Sequence, residues 1–368
     1  MADPRYTDLV QSLPATVPFV GPEAQERAMG QGFRVRLGAN ESVFGPSPDA
    51  VRAMATAAGD QWMYADPESH DLKAALADHL DVTPAHIVVG EGIDGLLGLL
   101  VRLLIGPGDA VVTSAGAYPT FNYHVVGFGG VIHAVPYVDD MEDPESLVAK
   151  ARDVDAKLIY IANPDNPMGG VHGPDVIAEM IAGLPEGAVL CLDEAYGDFV
   201  DDLLPLELTH PRVIRMRTFS KAYGMAGARV GYGLAHPDFV RAFDKVRNHF
   251  GMNRASQIGA LAALQDQIWL GHVKRDVAIA RDRIGAIAAA HGLRALPSAT
   301  NFVTVDMGGD GDLARAMVAA LGKRGVFVRM PFVAPQDRCI RISAGRPAQL
   351  DVLEEVFGAA LAEAQAAK

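Results

Sequence analysis

Cysteine, long apolar runs and basic clusters are the features that this sequence has least of. Only two cysteines occur, Cys191 and Cys339, and each stands inside a short apolar run. Two such thiols do not form the disulfide framework of a small secreted domain, so we expect both to be buried and reduced. This cysteine usage favours a cytoplasmic location.

The sequence also lacks segments suited to cross a membrane or to bind nucleic acid. The longest apolar stretch, residues 96–105, is ten residues long and contains Arg102, whereas a spanning helix needs about 20 residues. The N-terminus carries Asp3, Arg5 and Asp8 rather than the apolar segment of a signal peptide. The net charge is −13 and no long basic run is present, so an anionic ligand would need locally placed Arg and Lys side chains.

What the sequence does contain is an alternation of short apolar runs with helical stretches. The runs 87–89, 110–113, 158–162, 189–192 and 213–216 are each bounded by turn residues. This pattern predicts an α/β fold with a mainly parallel sheet that is covered on both faces. In such sheets ligands bind beyond the carboxyl ends of the strands.

The second half of the chain changes character from about residue 253. A long helical stretch is followed by strands near 301–305, 326–329 and 339–343 and by a final helix, which predicts a smaller α+β domain. With 368 residues the chain exceeds the usual size of one core. We therefore expect an N-terminal arm (1–36), a large domain (37–260) and a small domain (261–368).

Two strand ends carry residues typical of catalysis. Asp193 follows an apolar strand, where a carboxylate is costly unless a positive group meets it, although a helix N-cap is the alternative interpretation. Lys221 follows another strand and stands between Phe219 and Tyr223, and a desolvated lysine has a depressed pKa and can attack an aldehyde.

Phosphate-binding groups occur at neighbouring turns. Ser220 and Arg229 offer a hydroxyl and a forked donor, and Gly90 and Gly92 open a helix whose backbone N–H groups can surround an anion. Asn166 lies in a loop with two X-Pro pairs, which favours either a plain tight turn or a rigidly held amide donor.

Taken together, these segments resemble class I/II aminotransferases with the aspartate aminotransferase fold, and most closely the histidinol-phosphate aminotransferase family. The matching segments run in the family's order: 37–41 (LGANE), 44–48 (FGPSP), 64–67 (YADP), 90–94 (GEGID), 119–121 (PTF), 163–169 (NPDNPMG), 193–196 (DEAY), 220–221 (SK) with Arg229, 299–302 (ATNF) and 341–345 (RISAG). The resemblance implies fold type I and pyridoxal 5′-phosphate (PLP) as cofactor.

The resemblance also implies roles around the cofactor ring. Lys221 would carry PLP as a Schiff base and then move the substrate proton, while Asp193 would pair with the ring nitrogen. Asn166 and Tyr196 would hydrogen-bond the ring hydroxyl, and Phe121 would lie against the ring face.

The remaining implied contacts are to phosphate and substrate. Gly92, Ile93, Ser220 and Arg229 would hold the cofactor phosphate, and Tyr64 would reach it from the other subunit of a homodimer. The implied substrate contacts are Arg341, which would grip a carboxylate, Arg329 as a second anion contact, Asn40 and Phe19. No metal ligand set is expected. His249 and Arg254 border these segments, with solvated or core roles favoured for both.

Departures from the family pattern at four places bear on the substrate. Phe19 stands where a tyrosine is usual, Met168 where a threonine is usual, and Ser42-Val43 and Met330-Pro331 replace more polar pairs. These changes predict a less polar pocket. Histidinol phosphate and an aromatic or apolar amino acid are therefore both candidate donors, with 2-oxoglutarate as acceptor in a ping-pong reaction.

Other functions remain open at this point. A PLP-dependent decarboxylase of the threonine-phosphate type or a C–S lyase would use much the same motifs. A PLP-binding regulator would need a DNA-binding domain, for which residues 1–36 are too few. A nicotinamide-dependent dehydrogenase is disfavoured because no Gly-x-Gly-x-x-Gly motif follows the first strand.

Overall fold

The computed structural model of the chain describes residues 4–15 and 20–367. Its α-helices and β-strands alternate through the first two thirds of the chain. The helices are α1 (Asp8–Ser12), α2 (Pro22–Met29), α3 (Pro48–Ala57), α4 (His70–Leu80), α5 (Gly92–Leu104), α6 (Pro119–Gly127), α7 (Pro144–Asp153), α8 (Pro174–Ala182), α9 (Pro237–Ala242), α10 (Arg254–Gln265), α11 (Gln267–Ala290), α12 (Gly311–Lys323) and α13 (Pro347–Ala366).

The strands form one large sheet and two small ones. They are β1 (Val35–Arg36), β2 (Ile87–Gly90), β3 (Ala110–Ser114), β4 (Val131–Val135), β5 (Leu158–Ala162), β6 (Val189–Asp193), β7 (Val213–Thr218), β8 (Gly231–Ala235), β9 (Arg294–Ala295), β10 (Phe302–Asp306), β11 (Val326–Phe327) and β12 (Cys339–Ser343). The large sheet has the order β2-β8-β7-β6-β5-β3-β4.

The large sheet confirms the predicted α/β class. Strands β4, β3, β5, β6 and β7 run parallel, and β8 is antiparallel to both β7 and β2. Alternate residues of β5 are buried on opposite faces, with Tyr160 in the core beneath α5 and α6, and Ile159 and Ile161 in the core beneath α7 and α8. Burial on both faces is the reason that these strands read as continuous apolar runs.

A smaller unit is built around a second core. Strands β10 and β12 pair antiparallel, β9 extends this sheet, and α11, α12 and α13 pack against it. The strand β1 pairs with β11, and Val35 and Leu37 join the same core. The predicted end of the arm at residue 36 coincides with the last residue of β1, so the predicted arm includes a strand of this unit. The predicted boundary at 260 falls inside α10, which packs against α3 and α4.

The described helices include none that is long and apolar enough to cross a bilayer. Both cysteines are buried and unpaired, as expected from the sequence. Within the described ranges, His, Cys, Asp and Glu form no group of three that could hold a metal ion.

Candidate active site

A cavity of about 250 Å³ opens at the carboxyl ends of the central strands. Polar residues from the ends of strands β5, β6 and β7, and from the loops that follow these strands, line the cavity. The N-terminus of α5 also borders it. The lining residues are Ala39, Glu41, Ile93, Asp94, Tyr118, Tyr160, Ala162, Asn166, Asp193, Ala195, Tyr196, Thr218, Ser220, Lys221, Ala226 and Arg229. The predicted strand-end residues thus meet in one place, as the topology requires.

Lys221 lies at the centre of this cavity. Its Nζ atom donates to the Asn40 carbonyl at 3.2 Å and lies 5.5 Å from the centre of the Tyr196 ring. Burial, followed by the charge of Arg341, lowers the pKa of the Lys221 amine to about 8. The amine is therefore neutral in part of the population near neutral pH, which is the form that can act as a nucleophile or accept a proton.

Asp193 is the last residue of β6 and is buried at the cavity floor. Its Oδ2 atom accepts from the Tyr160 hydroxyl at 2.7 Å, and its Oδ1 atom accepts from the Ala195 N–H at 2.9 Å. Burial raises the pKa of this carboxyl to about 6, and the two hydrogen bonds oppose that rise. Asp193 is therefore ionised at neutral pH and can pair with a positive group in the cavity.

A phosphate-sized cradle lies at the opposite end, at the start of α5. The residue before this helix, Glu91, makes no side-chain cap, so the first N–H groups are not taken by a capping side chain. Arg229 Nη1 donates to Ser220 Oγ at 3.3 Å, and Thr218 donates to the same oxygen at 2.9 Å. A helix N-terminus beside a hydroxyl and a guanidinium is a site suited to a dianionic phosphate.

Gly92 makes room for this cradle. Its φ is +76°, and a Cβ atom there would lie 2.3 Å from Nη2 of Arg229. We expect Gly92→Ala to displace the Arg229 guanidinium and to strain the backbone, so that PLP binds roughly tenfold more weakly or worse while the protein still folds. Titration of the cofactor-free variant with PLP, alongside its melting temperature, measures both effects.

Gly227→Ala is the matched control for that substitution. A Cβ atom at Gly227 meets nothing within 4 Å, although the residue lies in the same segment as Arg229. Its PLP affinity should equal that of the unmodified chain. Equal affinity for Gly92→Ala as well would contradict the placement of the phosphate at this helix end.

Asn166, Tyr196 and Arg341 form a connected group on the side of the small unit. Arg341 donates from Nη1 to the Asn166 side-chain oxygen, and its Nη2 lies 3.5 Å from the Gly38 carbonyl oxygen. Because that oxygen of Asn166 is engaged, its NH₂ group is the one available to the cavity. Tyr196 is buried, and its hydroxyl accepts from Asn40 at 3.0 Å.

The Nη atoms of Arg341 hydrogen-bond only neutral acceptors, while the buried Asp165 carboxylate acts on the guanidinium through its charge. Its Nε atom is buried without a hydrogen-bond partner among the described residues, and its guanidinium lies 5.2 Å from the centre of the Phe302 ring. Burial lowers the pKa of Arg341. A buried guanidinium in this condition is costly unless an anion completes it, which is the expected property of a substrate carboxylate site.

Arg329 lies next to Arg341 but is directed toward the N-terminal arm. The two residues pair through their backbones, at 2.6 Å and 3.2 Å. The Arg329 Nη2 atom donates to the Val20 carbonyl at 2.6 Å, and burial together with Arg341 lowers the pKa of Arg329 to about 10. The structure thus places a second cation beside Arg341, and neither arginine is among the residues that line the cavity.

The expected position of Phe121 is wrong. Phe121 lies within α6, is fully buried in the helix–sheet core and does not line the cavity, since its ring stacks on Tyr160 at 4.3 Å. Tyr118, the residue before α6, lines the cavity instead. The helical turn that begins at Pro119 directs Phe121 inward and leaves Tyr118 at the open end.

Asn40 also differs from the expectation of a substrate contact. It is buried, adopts a φ of +54° and holds other site residues: its Nδ2 donates to Tyr196, its Oδ1 accepts from Ser343 at 3.2 Å, and its carbonyl accepts from Lys221. Both ends of its side chain are engaged by protein groups. Asn40 therefore holds Lys221 and Tyr196 in place, and it is not among the residues that line the cavity.

Tyr64 and His249 are not among the residues that line this cavity. Tyr64 is 77% exposed, its ring packs on Phe250 at 4.7 Å, and its carbonyl accepts from Arg254. His249 is exposed. Phe19 lies outside the described residues.

Among the lining residues that carry a hydroxyl group, Tyr118, Tyr160 and Thr218 were not singled out by the sequence analysis. Tyr160 could have been found, because it alternates with Ala162, the residue that pairs with Asp193 across β5 and β6. Thr218 stands two residues before Ser220, at the end of the same strand. Tyr118 had no such signal, since its side chain is placed by the start of α6.

Comparison with known proteins matches the chain to one family. The model of aminotransferase class I and II matches residues 34–357. The histidinol-phosphate aminotransferase of Moorella thermoacetica is 32% identical over 98% of this chain and 93% of its own length. That of Roseiflexus castenholzii is 36% identical over 88% of this chain and 89% of its own length.

The solved structures agree. The histidinol-phosphate aminotransferase of Sinorhizobium meliloti, determined in complex with pyridoxal-5′-phosphate, is 53% identical and superimposes with a TM-score of 0.95 over 98% of both chains. A Thermus thermophilus aspartate aminotransferase mutant, at 23% identity, shares the fold with a TM-score of 0.81 over 98% of this chain and 100% of its own.

The residues of the cavity fit the cofactor of this class. A buried amine of lowered pKa, a carboxylate at the opposite wall and an uncapped helix end beside Ser220 and Arg229 match an aldehyde, a ring nitrogen and a phosphate respectively. The chain belongs to the aminotransferase class I and II family and is a PLP-dependent aminotransferase.

Proposed function

We propose that this enzyme transfers the amino group of histidinol phosphate to 2-oxoglutarate by a ping-pong mechanism. The observation that carries the proposal is the pair of cations beside the cavity: Arg341 donates to the lining residue Asn166, both of its hydrogen-bond acceptors are neutral, and Arg329 lies next to it. Such a pair favours substrates that bring a negative group, and it stands out in a chain of net charge −13. The similarity of the chain to histidinol-phosphate aminotransferases also supports the proposal.

The packing of Met168 and Met330 weakens the case for an apolar amino donor, which rested in part on these two residues. Met168 is buried in a small cluster with Leu296 and Cys339, and Met330 packs against the core of the smaller unit. Neither lines the cavity, so neither makes the cavity less polar. An aromatic or apolar amino acid remains the second candidate, because Phe19 could still add an apolar surface.

The proposed chemistry assigns one task to each side chain. When bound, PLP supplies an electron sink that stabilises negative charge at the substrate α-carbon. Lys221 Nζ removes the proton from that carbon and returns a proton during the transfer, for which its lowered pKa is suited. The Asp193 carboxylate would pair with the protonated ring nitrogen, and Asn166 and Tyr196 would hydrogen-bond the ring hydroxyl.

The positively charged side chains and hydrogen-bond donors would bind the anionic groups of substrate and cofactor. Arg341 binds the carboxylate of glutamate or the phosphate of histidinol phosphate, and Arg329 is the second anion contact. Ser220, Arg229 and the N–H groups of Gly92 and Ile93 hold the cofactor phosphate. Tyr118, rather than Phe121, packs against the ring.

We also propose that the enzyme is a cytoplasmic homodimer. Tyr64 and Trp62 are 77% and 80% exposed, and Phe250 is 53% exposed beside Tyr64. Burial of these aromatic side chains against a second copy would bring Tyr64 to the partner's cofactor phosphate. Light scattering after size exclusion should give twice the mass of 39.0 kDa, and a monomer would contradict this proposal.

Donor competition tests the substrate assignment. Steady-state kinetics with histidinol phosphate, phenylalanine and tyrosine, each with 2-oxoglutarate, should give a kcat/KM for histidinol phosphate at least about tenfold above the others, the size of one hydrogen bond to a charged group. A preference for phenylalanine would reverse the assignment. Release of CO₂ without formation of glutamate would support the decarboxylase alternative instead.

A further inference from the structure

We propose that Tyr160 is a positioning residue for transamination, and that it acts through the hydrogen bond from its hydroxyl to the Asp193 carboxylate. Tyr160 would thereby keep Asp193 ionised and correctly oriented toward the cofactor ring nitrogen. This inference rests on the proposed role of Asp193 and adds a residue on which that role depends.

The contact is short and fully enclosed. Tyr160 lies in the middle of β5, is completely buried and borders the cavity. The distance from its Oη atom to Asp193 Oδ2 is 2.7 Å, the length of a hydroxyl bond to an ionised acceptor. The two residues project from adjacent parallel strands, in which Ala162 is paired with Asp193.

The geometry holds both partners rigidly. The Tyr160 ring is stacked on Phe121 at 4.3 Å with an interplanar angle of 15°, so the hydroxyl has a fixed direction. The other oxygen of Asp193 accepts from the Ala195 N–H at 2.9 Å. With a donor at each oxygen, the carboxylate plane is fixed, which is what an ion pair with a planar ring requires. Phe121 thus supports the site from behind instead of touching the ring.

The energetic role follows from burial. Desolvation raises the pKa of Asp193, and the Tyr160 hydrogen bond is the largest influence that opposes this rise. Asp193 binds a protonated ring nitrogen only in its ionised form. Affinity for the cofactor should therefore be high above the pKa of Asp193 and should fall as the pH drops through it. Without the Tyr160 hydroxyl, that fall should begin at higher pH.

Tyr160→Phe removes the hydroxyl and preserves the ring that packs on Phe121. Its PLP dissociation constant, titrated on the cofactor-free protein at several pH values on both sides of 6, should be roughly tenfold higher near neutral pH, and the pH of half-maximal affinity should move upward. The rate of the glutamate half-reaction should fall by a similar factor, while the KM for glutamate stays unchanged because Arg341 is untouched.

Tyr232→Phe is the matched control, since Tyr232 is a buried tyrosine of the same sheet that does not line the cavity. Its PLP affinity and pH profile should match those of the unmodified enzyme. If Tyr160→Phe behaves like this control, the proposal is wrong.

Asp193→Asn distinguishes a failure of the Tyr160 proposal from a failure of the proposed role of Asp193. On this background Tyr160→Phe should add little, because the ionised acceptor is already gone. Full additivity of the two substitutions would mean that Tyr160 acts elsewhere, and would overturn the inference while leaving the role of Asp193 intact. If Asp193→Asn alone changes neither PLP affinity nor rate, the proposed role of Asp193 fails, and the inference fails with it.

Discussion

Asp193→Asn should slow the glutamate half-reaction by about 10²–10³-fold, the effect of removing one preorganised electrostatic contact. The carboxylate is buried and held by Tyr160 and Ala195, so its charge acts on the bound ring through little intervening water. Asparagine has nearly the same shape, but its NH₂ group cannot accept one of the two hydrogen bonds that Asp193 accepts, and it carries no charge to keep the ring nitrogen protonated. The loss is therefore expected mainly in rate, as measured by stopped-flow absorbance in a single turnover.

Asp198→Asn is the control for this substitution. Burial raises the pKa of Asp198 to about 6, as it does for Asp193, and Asp198 follows Asp193 closely in sequence without lining the cavity. Its half-reaction should proceed at the rate of the unmodified enzyme. A rate for Asp193→Asn within a few-fold of that control would contradict the assignment.

Arg341→Gln should lower kcat/KM for glutamate by about 10²-fold or more, since removal of one partner of a buried charged contact costs roughly 2–5 kcal/mol. Glutamine retains hydrogen-bonding capacity toward Asn166 but removes the guanidinium that the substrate carboxylate would complete. The effect should appear chiefly in KM, because the interaction is formed when the substrate binds. Steady-state kinetics over a wide range of glutamate concentrations measures it.

Arg281→Gln provides the comparison. Arg281 is also half-buried and also donates to carbonyl oxygens, those of Ser298 and Thr300, but neither of these acceptors belongs to a residue that lines the cavity, whereas Arg341 donates to the lining residue Asn166. It should leave the KM for glutamate unchanged. Unchanged KM in Arg341→Gln as well would mean that the substrate anion binds elsewhere, with Arg329 as the first alternative to test.

The strands that the sequence predicted are those buried on both faces. The run 158–162 matches β5 at both ends, and 189–192 and 213–216 each extend by one or two residues into β6 and β7. Two strands of the large sheet were missed for different reasons. β4 lies at the edge of the sheet and is partly exposed, and β8 contains two glycines within five residues.

The residues of the site also fall into those that the sequence could predict and those that it could not. Lys221, Asp193, Ser220 and Arg229 lie close in sequence to strand ends, so local patterns and the family resemblance located them in one cavity. The position of Asn40 could not be derived locally, because its partners Tyr196 and Ser343 are 156 and 303 residues away. The exchange of Phe121 for Tyr118 depends on where α6 begins, a boundary that sequence patterns fix only to within a few residues.

The most direct test of the account is the absorbance spectrum of the PLP-loaded protein before and after addition of L-glutamate, compared with that of Lys221→Ala. The account predicts a visible band that glutamate converts to a shorter-wavelength band as 2-oxoglutarate appears, and no such conversion on the turnover timescale in Lys221→Ala. Conversion in Lys221→Ala at the rate of the unmodified enzyme would contradict the central role of Lys221.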